Sequence, residues 1–240
     1  MTLDLQVQRK LRLAWVLMLL FYFCGAALIV YLAGTFDLPF FWGILIVHLC
    51  TSAIAMSVLD PALLAERLKP AGKDEDPFCA PLICTFYPLQ YLLAVLDPYR
   101  LHWLQGSRLP VFETLPLWLR VLAMVGVVLG WALFLWSMKT NFFFSSAIRL
   151  QPDRGQTVID SGPYALVRHP GYSGAVLMFL GEALAMGSWL SVGMAILSIL
   201  VLLRRTLLEE KMLRQGLPGY VEYAADRKST RLNSSHRLLS

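Results

Sequence analysis

The stretch LAWVLMLLFYFCGAALIVYLA, residues Leu13–Ala33, carries no charged side chain from one end to the other. A helix of about 20 apolar residues crosses the roughly 30 Å hydrocarbon core of a bilayer. Three further runs have a similar length and composition: Leu38–Leu59, Phe78–Leu96 and Leu117–Met138. One such run could be a buried helix of a soluble protein, but four in succession predict a protein that crosses the membrane several times.

The overall composition indicates the same class. Apolar residues make up 57% of the 240 residues, charged residues only 15%, and the mean hydropathy is +0.59. Soluble domains contain about 25% charged residues. The first run is also longer than the apolar core of a cleaved signal peptide, which has about 7–15 residues. We therefore interpret it as a membrane helix.

Two more apolar stretches follow Tyr172. As one helix, residues 172–203 would be about 48 Å long at 1.5 Å per residue, which is too long for a single crossing. Gly187-Ser188-Trp189 offers a break, so we expect a tight hairpin of two short arms that lie tilted or reach part-way across. The predicted fold is all-α and integral to the membrane, with about six transmembrane helices including this C-terminal hairpin.

Lys and Arg residues predict the orientation. Fourteen lie in segments on the same side as the N-terminus, against about three in or near the opposite loops. Because basic residues accumulate in cytoplasmic loops, both termini are expected to face the cytosol. We expect the membrane to be a prokaryotic cytoplasmic membrane. The mixed-charge loop Glu66–Asp76 is interpreted as a solvated connector.

The end of the chain has an unusual sequence. Residues 226–236 read DRKSTRLNSSH, which matches one reading frame of a widely used DNA-sequencing adapter, so we expect residues 226–240 to be an artefact tail. Without its four basic residues and one acidic residue, the formal net charge falls from +5 to +2. The basic pI then gives no support for a nucleic-acid partner. The four cysteines lack the spacing of a metal site or a disulfide framework, and no metal is expected.

The polar loop 139–171 ends in a segment with chemical features. Arg168-His169-Pro170 precedes the hairpin, with Pro170 near the first helical position, where its missing N–H costs nothing. A helix N-terminus beside Arg and His favours an anion such as a carboxylate. Tyr164 and Tyr172 bring aromatic faces that could stack on a base or flank a sulfonium.

The far end of the hairpin contributes a second group of residues. Arg205 and Glu209 lie four residues apart, on one face of a helix. If the hairpin folds back, they return to the face of the membrane where His169 lies. S-adenosylmethionine has matching groups, because its carboxylate suits the helix N-terminus and its ammonium and ribose hydroxyls suit a glutamate.

These motifs resemble those of the isoprenylcysteine carboxyl methyltransferase family, in the broad sense that includes its bacterial relatives. The resemblance covers about residues 59–223. Its most specific parts are G-P-Y-x-x-x-R-H-P-x-Y at Gly162–Tyr172, R-T-x-x-E-E at Arg205–Glu210 and G-Y-x-x-Y at Gly219–Tyr223. It implies a membrane enzyme that binds S-adenosylmethionine in a cytosolic pocket and methylates a lipidic acceptor. The basic-aromatic segment that the family has after Tyr223 is missing here.

The resemblance also implies roles for individual residues. Arg205 falls where the family holds the methyl-accepting carboxylate, and it is the expected catalytic residue. Arg149 is a looser match to a cofactor contact. The implied cofactor-binding residues are Gln156, Thr157, Val158, Ile159, Tyr164, His169, Pro170, Gly171, Tyr172 and Glu209.

On this reading the chain divides into three parts. Residues 1–138 are membrane helices that supply a groove for the acceptor, residues 139–225 hold the cofactor site and the catalytic residue, and residues 226–240 are the artefact tail. Two polar residues in the membrane helices have no implied role. His48 is interpreted as a satisfied core residue, and Glu182 as a carboxyl that is costly unless it has a partner.

Three other functions remain open. A phospholipid N-methyltransferase would differ in its acceptor, a membrane reductase of the sterol-reductase type would use NADPH, and a scaffold or transporter would have no reaction. A carboxylate acceptor is ionised at neutral pH and needs no general base. An amine acceptor would need its proton removed, and the motifs contain no evident pair for that purpose.

The predicted orientation is tested by cysteine labelling from either side of the membrane. Reporter cysteines at residues 34–37 and 105–107 should react with an impermeant reagent from outside, because these loops are predicted to be external. Reporters at Gly72 and Gly155 should react only after permeabilisation. Labelling of Gly155→Cys from outside would overturn the predicted orientation.

Overall fold

A computed structural model describes residues 5–101 and 115–226. Within these ranges the chain is helical and forms no strand. Residues 227–240 of the expected artefact tail and the labelling positions 105–107 lie outside the described residues. The helices are α1 (Leu5–Ala33), α2 (Pro39–Val58), α3 (Pro61–Leu68), α4 (Cys79–Leu96), α5 (Leu117–Thr140), α6 (Pro170–Met186) and α7 (Trp189–Gly216), followed by a helical segment at 220–226.

Five of the described helices are long and apolar enough to cross a bilayer: α1, α2, α4 with the π-helical turn Asp97–Leu101, α5 and α7. They confirm the predicted all-α integral membrane fold. Their outer surfaces expose large apolar side chains, such as Phe21 of α1 and Leu122 of α5. Apolar surface of this extent is typical of a protein solvated by lipid.

The predicted hairpin consists of α6 and α7, and the chain reverses at Gly187, which has a φ of 78°. With 17 residues, α6 is about 25 Å long and is not one of these five spans, so a sixth transmembrane helix stays a prediction. The prediction of two short arms is wrong for α7, which has 28 residues. Its charged sequence after Leu203 is rich in good helix formers, so the helix continues beyond the apolar stretch.

The backbones of α5 and α6 lie so close together that the contact requires glycine. A Cβ added to Gly174 would lie 2.7 Å from the Gly130 carbonyl oxygen, and a Cβ added to Gly130 would lie 2.8 Å from the Gly174 carbonyl oxygen. Further along α6, a Cβ on Gly181 would lie 2.9 Å from the Ala123 carbonyl oxygen. Small residues permit such close packing of membrane helices. The contact fixes the start of α6 relative to the end of α5.

A polar cluster lies within the helix bundle. The buried carboxylate of Glu182 in α6 accepts a hydrogen bond from the Tyr91 hydroxyl at 2.8 Å and lies 3.3 Å from His48 Nε2. His48 also contacts the Tyr87 hydroxyl at 2.7 Å and the Ile44 carbonyl at 2.9 Å. His48 is therefore satisfied as predicted, and the Glu182 carboxylate has Tyr91 as a hydrogen-bond donor to Oε2 and His48 beside Oε1.

The close packing of α5 and α6 gives a stability prediction. Gly174→Leu should lower the free energy of unfolding by about 1–3 kcal/mol, because the new side chain has no space against the α5 backbone. The measurement is the thermal unfolding midpoint in detergent. Gly126→Leu on α5 is the matched control, since a Cβ there meets no atom within 4 Å. Equal losses in the two variants would contradict the packing argument.

Candidate active site

The conformation of the loop between α5 and α6 depends on hydrogen bonds from its own side chains rather than on regular secondary structure. Gln151, only 2% exposed, donates from Nε2 to the Phe143 carbonyl at 2.7 Å and accepts from Arg154 Nη1 at 2.6 Å. The Gln156 side-chain oxygen accepts from the Gln151 backbone N–H at 2.7 Å. Polar groups buried in a loop need such partners. The loop is therefore ordered and positions residues 156–159.

The loop between α3 and α4 packs against this region. Glu66 accepts a hydrogen bond from Arg149 Nη2 at 2.9 Å, and the buried Asp76 accepts one from Arg204. The interpretation of Glu66–Asp76 as a solvated connector is wrong, because its carboxylates pair with arginines from the C-terminal part of the chain. The mixed charges of this segment gave no indication of its partners, because these arginines lie far away in sequence.

A cavity of about 410 Å³ lies between the α5–α6 loop, the end of α3 and the adjoining parts of α4, α5, α6 and α7. Its volume lies within the range of roughly 300–1,000 Å³ that is typical of small-molecule sites. Of the predicted site residues, only Pro170 is not part of its wall, because Pro170 is buried at the start of α6. Those in the wall are Gln156, Thr157, Val158, Ile159, Tyr164, His169, Gly171, Tyr172, Arg205 and Glu209.

The cavity combines a polar wall with an apolar one. The polar wall comes from the α5–α6 loop and from α7, and it includes Asn141, His169 and Glu209. The apolar wall comes from four helices and consists of Ile83 of α4, Phe134 of α5, Met178 and Phe179 of α6, and Leu202 of α7. Such a space suits one polar ligand and one ligand with an apolar tail.

Glu209 directs its carboxylate into the polar part of the cavity, beside the Tyr172 hydroxyl. Within residues 5–101 and 115–226, no Lys, Arg or His forms an ion pair with it. The carboxylate therefore has no protein cation as partner, and it is available to a ligand that carries a positive charge or hydroxyl groups.

The carboxylate of Glu210, the next residue, is bonded to several protein groups. Its carboxylate accepts hydrogen bonds from Arg168, from Arg214 Nε at 2.8 Å and from the Tyr220 hydroxyl at 2.7 Å, and it lies 2.8 Å from His169 Nε2. Burial and the Glu210 carboxylate raise the pKa of the Tyr220 phenol, which remains protonated and donates. Glu210 thus joins the start of α6, the end of α7 and the terminal helical segment.

The position of Glu210 changes the interpretation of Arg168 and His169. The sequence predicts an open anion site at this helix N-terminus, but the anion bound there is the carboxylate of Glu210 itself. His169 still lines the cavity, with one ring nitrogen committed to that contact. The sequence contains one local signal for Glu210, since Arg214 follows it at the i+4 position of a helix.

Arg205 is buried against the wall of the cavity, with 6% of its surface exposed. Its Nε donates to the Tyr172 hydroxyl at 3.1 Å, and its Nη2 donates to the Ser146 carbonyl at 2.7 Å. Its Nη1 lies 3.6 Å from the Asp74 carboxylate. Arg205 therefore ties α6 to both loops, and this arrangement limits how many of its donors can serve a ligand.

Tyr164 connects the loop to α5 and to the terminal helical segment. Its hydroxyl accepts from Asn141 at 3.2 Å, and its backbone carbonyl accepts from the Tyr223 hydroxyl at 2.8 Å. Burial raises the pKa of the Tyr164 phenol, which stays neutral near pH 7. The G-P-Y and G-Y-x-x-Y motifs thus contact each other directly.

Arg67 of α3 also lines the cavity, and the sequence gave no reason to select it. Its guanidinium carbon lies 5.0 Å from the centre of the Phe144 ring and 5.6 Å from that of Phe134. Burial, with a smaller contribution from Arg205, lowers the pKa of Arg67 to about 10, against the effect of Tyr172. Arg67 is therefore still a cation at neutral pH.

Part of the chain is similar to a known family of methyltransferases. The sequence profile of the phospholipid methyltransferase family matches residues 118–217, which run from α5 to the end of α7 and include every predicted site residue. No curated protein matched the chain. The profile is related to the isoprenylcysteine carboxyl methyltransferase superfamily, and its match supports a membrane methyltransferase.

The contrast between the two adjacent glutamates is testable. Glu210→Gln should lower the free energy of unfolding by about 1.5–3 kcal/mol, because it removes charge-assisted hydrogen bonds to Arg168 and Arg214. Glu209→Gln should have little effect on stability, because its carboxylate has no cationic partner. Thermal unfolding in detergent and limited proteolysis of the loop 141–169 provide the measurement. Equal stability of the two variants would refute the assigned contrast.

Proposed function

We propose that the protein is an S-adenosylmethionine-dependent methyltransferase that methylates the carboxylate of a lipidic, prenylcysteine-like acceptor. One observation carries the proposal: the carboxylate of Glu209, which has no ion-pair partner among the described residues, and an apolar wall from α4, α5, α6 and α7 belong to the same cavity. The match to a methyltransferase family over residues 118–217 supports it. The distribution of Lys and Arg supports a site on the cytosolic face of the membrane, which we propose to be a prokaryotic cytoplasmic membrane.

The residues of the polar wall suit the methyl donor. When bound, S-adenosylmethionine supplies a methyl group activated by its sulfonium. Glu209 would hold the ammonium or the ribose hydroxyls of the donor, and residues 156–159 offer backbone groups beside it. Tyr172 and His169 complete this part of the wall. Pro170 would act indirectly, by fixing the start of α6 on which Gly171 and Tyr172 lie.

The chain contributes to the reaction mainly by positioning the two ligands and excluding water. A carboxylate acceptor is ionised at neutral pH, so no side chain has to remove a proton. An amine acceptor would need a base, and His169, with one ring nitrogen held by Glu210, would be the residue to supply it.

A phospholipid N-methyltransferase is the second candidate, and the family match itself favours it. The apolar wall would accept a phospholipid chain as readily as a prenyl chain. The two candidates are separated by an acceptor screen with labelled S-adenosylmethionine. N-acetyl-S-farnesylcysteine and phosphatidylethanolamine are supplied in the same detergent. Base releases the labelled methyl group as volatile methanol from a methyl ester, but not from an N-methyl amine, which distinguishes the two products.

Glu209 gives a prediction for cofactor binding. Glu209→Gln should weaken S-adenosylmethionine binding by about 1.5–3 kcal/mol, because a charged hydrogen-bond acceptor is lost from the cavity. The measurement is titration of the purified protein with the cofactor. Glu222→Gln is the matched control, since Glu222 is exposed on the terminal helical segment. Unchanged affinity in Glu209→Gln would remove this residue from the proposed cofactor site.

Arg205 gives a prediction for turnover. Arg205→Ala should suppress methyl transfer and leave cofactor affinity largely intact, because Arg205 lies where the resemblance places the accepting carboxylate. Arg205→Lys should restore turnover only partly, since an ammonium cannot replace the guanidinium bonds to Tyr172 and Ser146. Cofactor titration and methyl transfer are measured on variants of matched folding. A loss of cofactor affinity equal to that of Glu209→Gln would defeat this division of roles.

A further inference from the structure

Four arginines line the cavity, and three of them have a carboxylate partner from the protein. Arg67 is the exception. Within the described parts of the chain, no carboxylate lies within ion-pair distance of its guanidinium, which also donates no hydrogen bond to a protein group there. The three pairs are Arg149 with Glu66, Arg168 with Glu210, and Arg205 with Asp74.

The surroundings of Arg67 compensate its charge only in part. The rings of Phe134 and Phe144 attract the cation through their π faces, but they accept few of its five N–H groups. The neighbouring guanidinium of Arg205 adds positive charge on the same side. A charge removed from water is normally paired, so this part of the cavity is complementary to an anion.

We propose that Arg67 binds the anionic group of the lipidic acceptor, a carboxylate or a phosphate. The proposal rests on the function proposed above and adds a residue that determines the class of acceptor. A guanidinium matches the two oxygens of such a group with two parallel hydrogen bonds. Phe134 belongs to the apolar wall and lies against Arg67. An anion held by Arg67 therefore leaves its hydrocarbon tail next to that wall.

Glu209 and Arg67 have no ion-pair partner in the described parts of the chain, and they act on the two ligands in opposite ways. Glu209 attracts the positively charged groups of the methyl donor and repels an anionic acceptor, while Arg67 does the reverse. Arg205 has its Nε and Nη2 bonded to protein oxygens and its Nη1 facing Asp74. Arg205 therefore has few donors left for the accepting carboxylate, and Arg67 adds the further positive charge that an anionic acceptor requires.

The experiment measures acceptor binding and methyl transfer for the full chain in detergent. The probes are N-acetyl-S-farnesylcysteine, its neutral methyl ester, and phosphatidylethanolamine. Arg67→Gln should weaken binding of the anionic probe that wild type methylates by about 10- to 100-fold, the equivalent of a lost charged hydrogen bond. It should leave binding of the neutral ester and of S-adenosylmethionine unchanged. Arg67→Lys should recover part of the affinity, because lysine keeps the positive charge but lacks the planar guanidinium that donates two parallel hydrogen bonds.

Lys69→Gln is the matched control, because it removes an exposed cation directly after α3 and should behave as wild type. The proposal is overturned if Arg67→Gln, with unfolding matched to wild type, keeps the wild-type preference for the anionic probe over the ester. It is also overturned if the variant loses cofactor affinity instead, which would assign Arg67 to the carboxylate of the cofactor. Failure of wild type to bind the cofactor or methylate either acceptor would instead refute the proposed function.

Discussion

The carboxylate of Glu210 connects the parts of the chain on which the candidate site depends. It bonds to Arg168 before α6, to Arg214 near the end of α7 and to Tyr220 in the terminal helical segment, and it lies against His169. These groups come from three separate stretches of sequence. Removing one partner of an ion pair that is shielded from water is costly. Glu210 therefore holds the start of α6 against the end of α7 and sets the position of the adjacent Glu209.

Charge pairing also explains how the end of α3 and the loop after it pack against the C-terminal part of the chain. Glu66, Asp74 and Asp76 each partner an arginine from the C-terminal part of the chain. The predicted division at residue 138 follows composition. The wall of the cavity nevertheless includes Arg67 and Phe134, which precede this division, together with the residues that follow it. The N-terminal helices therefore contribute to the polar site as well as to an acceptor groove.

The sequence predicts the features of this protein that depend on local patterns. Long apolar runs predict the membrane helices, Gly187 predicts the hairpin turn, and the motif residues around Tyr164 and Tyr172 do lie around one cavity. The missed features depend on distant partners. Arg214 at the i+4 position is the one local signal that distinguishes Glu210 from Glu209, and the distant partners Arg168 and Tyr220 complete the difference in their roles. Arg67 looks like an ordinary cytosolic arginine until Phe134 and Phe144 are placed beside it.

The backbone contact between Gly130 and Gly174 limits where a lipid can pass between the helices. Where the carbonyl oxygens of α5 and α6 contact the facing glycines, a hydrocarbon chain cannot pass between the two helices. A molecule that moves between the bilayer and the cavity must pass another side. Ala80 and Cys84 of α4 line the cavity and are also exposed on the outer surface. Under the proposed function a lipidic acceptor would enter past these two residues, and a bulky group attached to Cys84 would obstruct it.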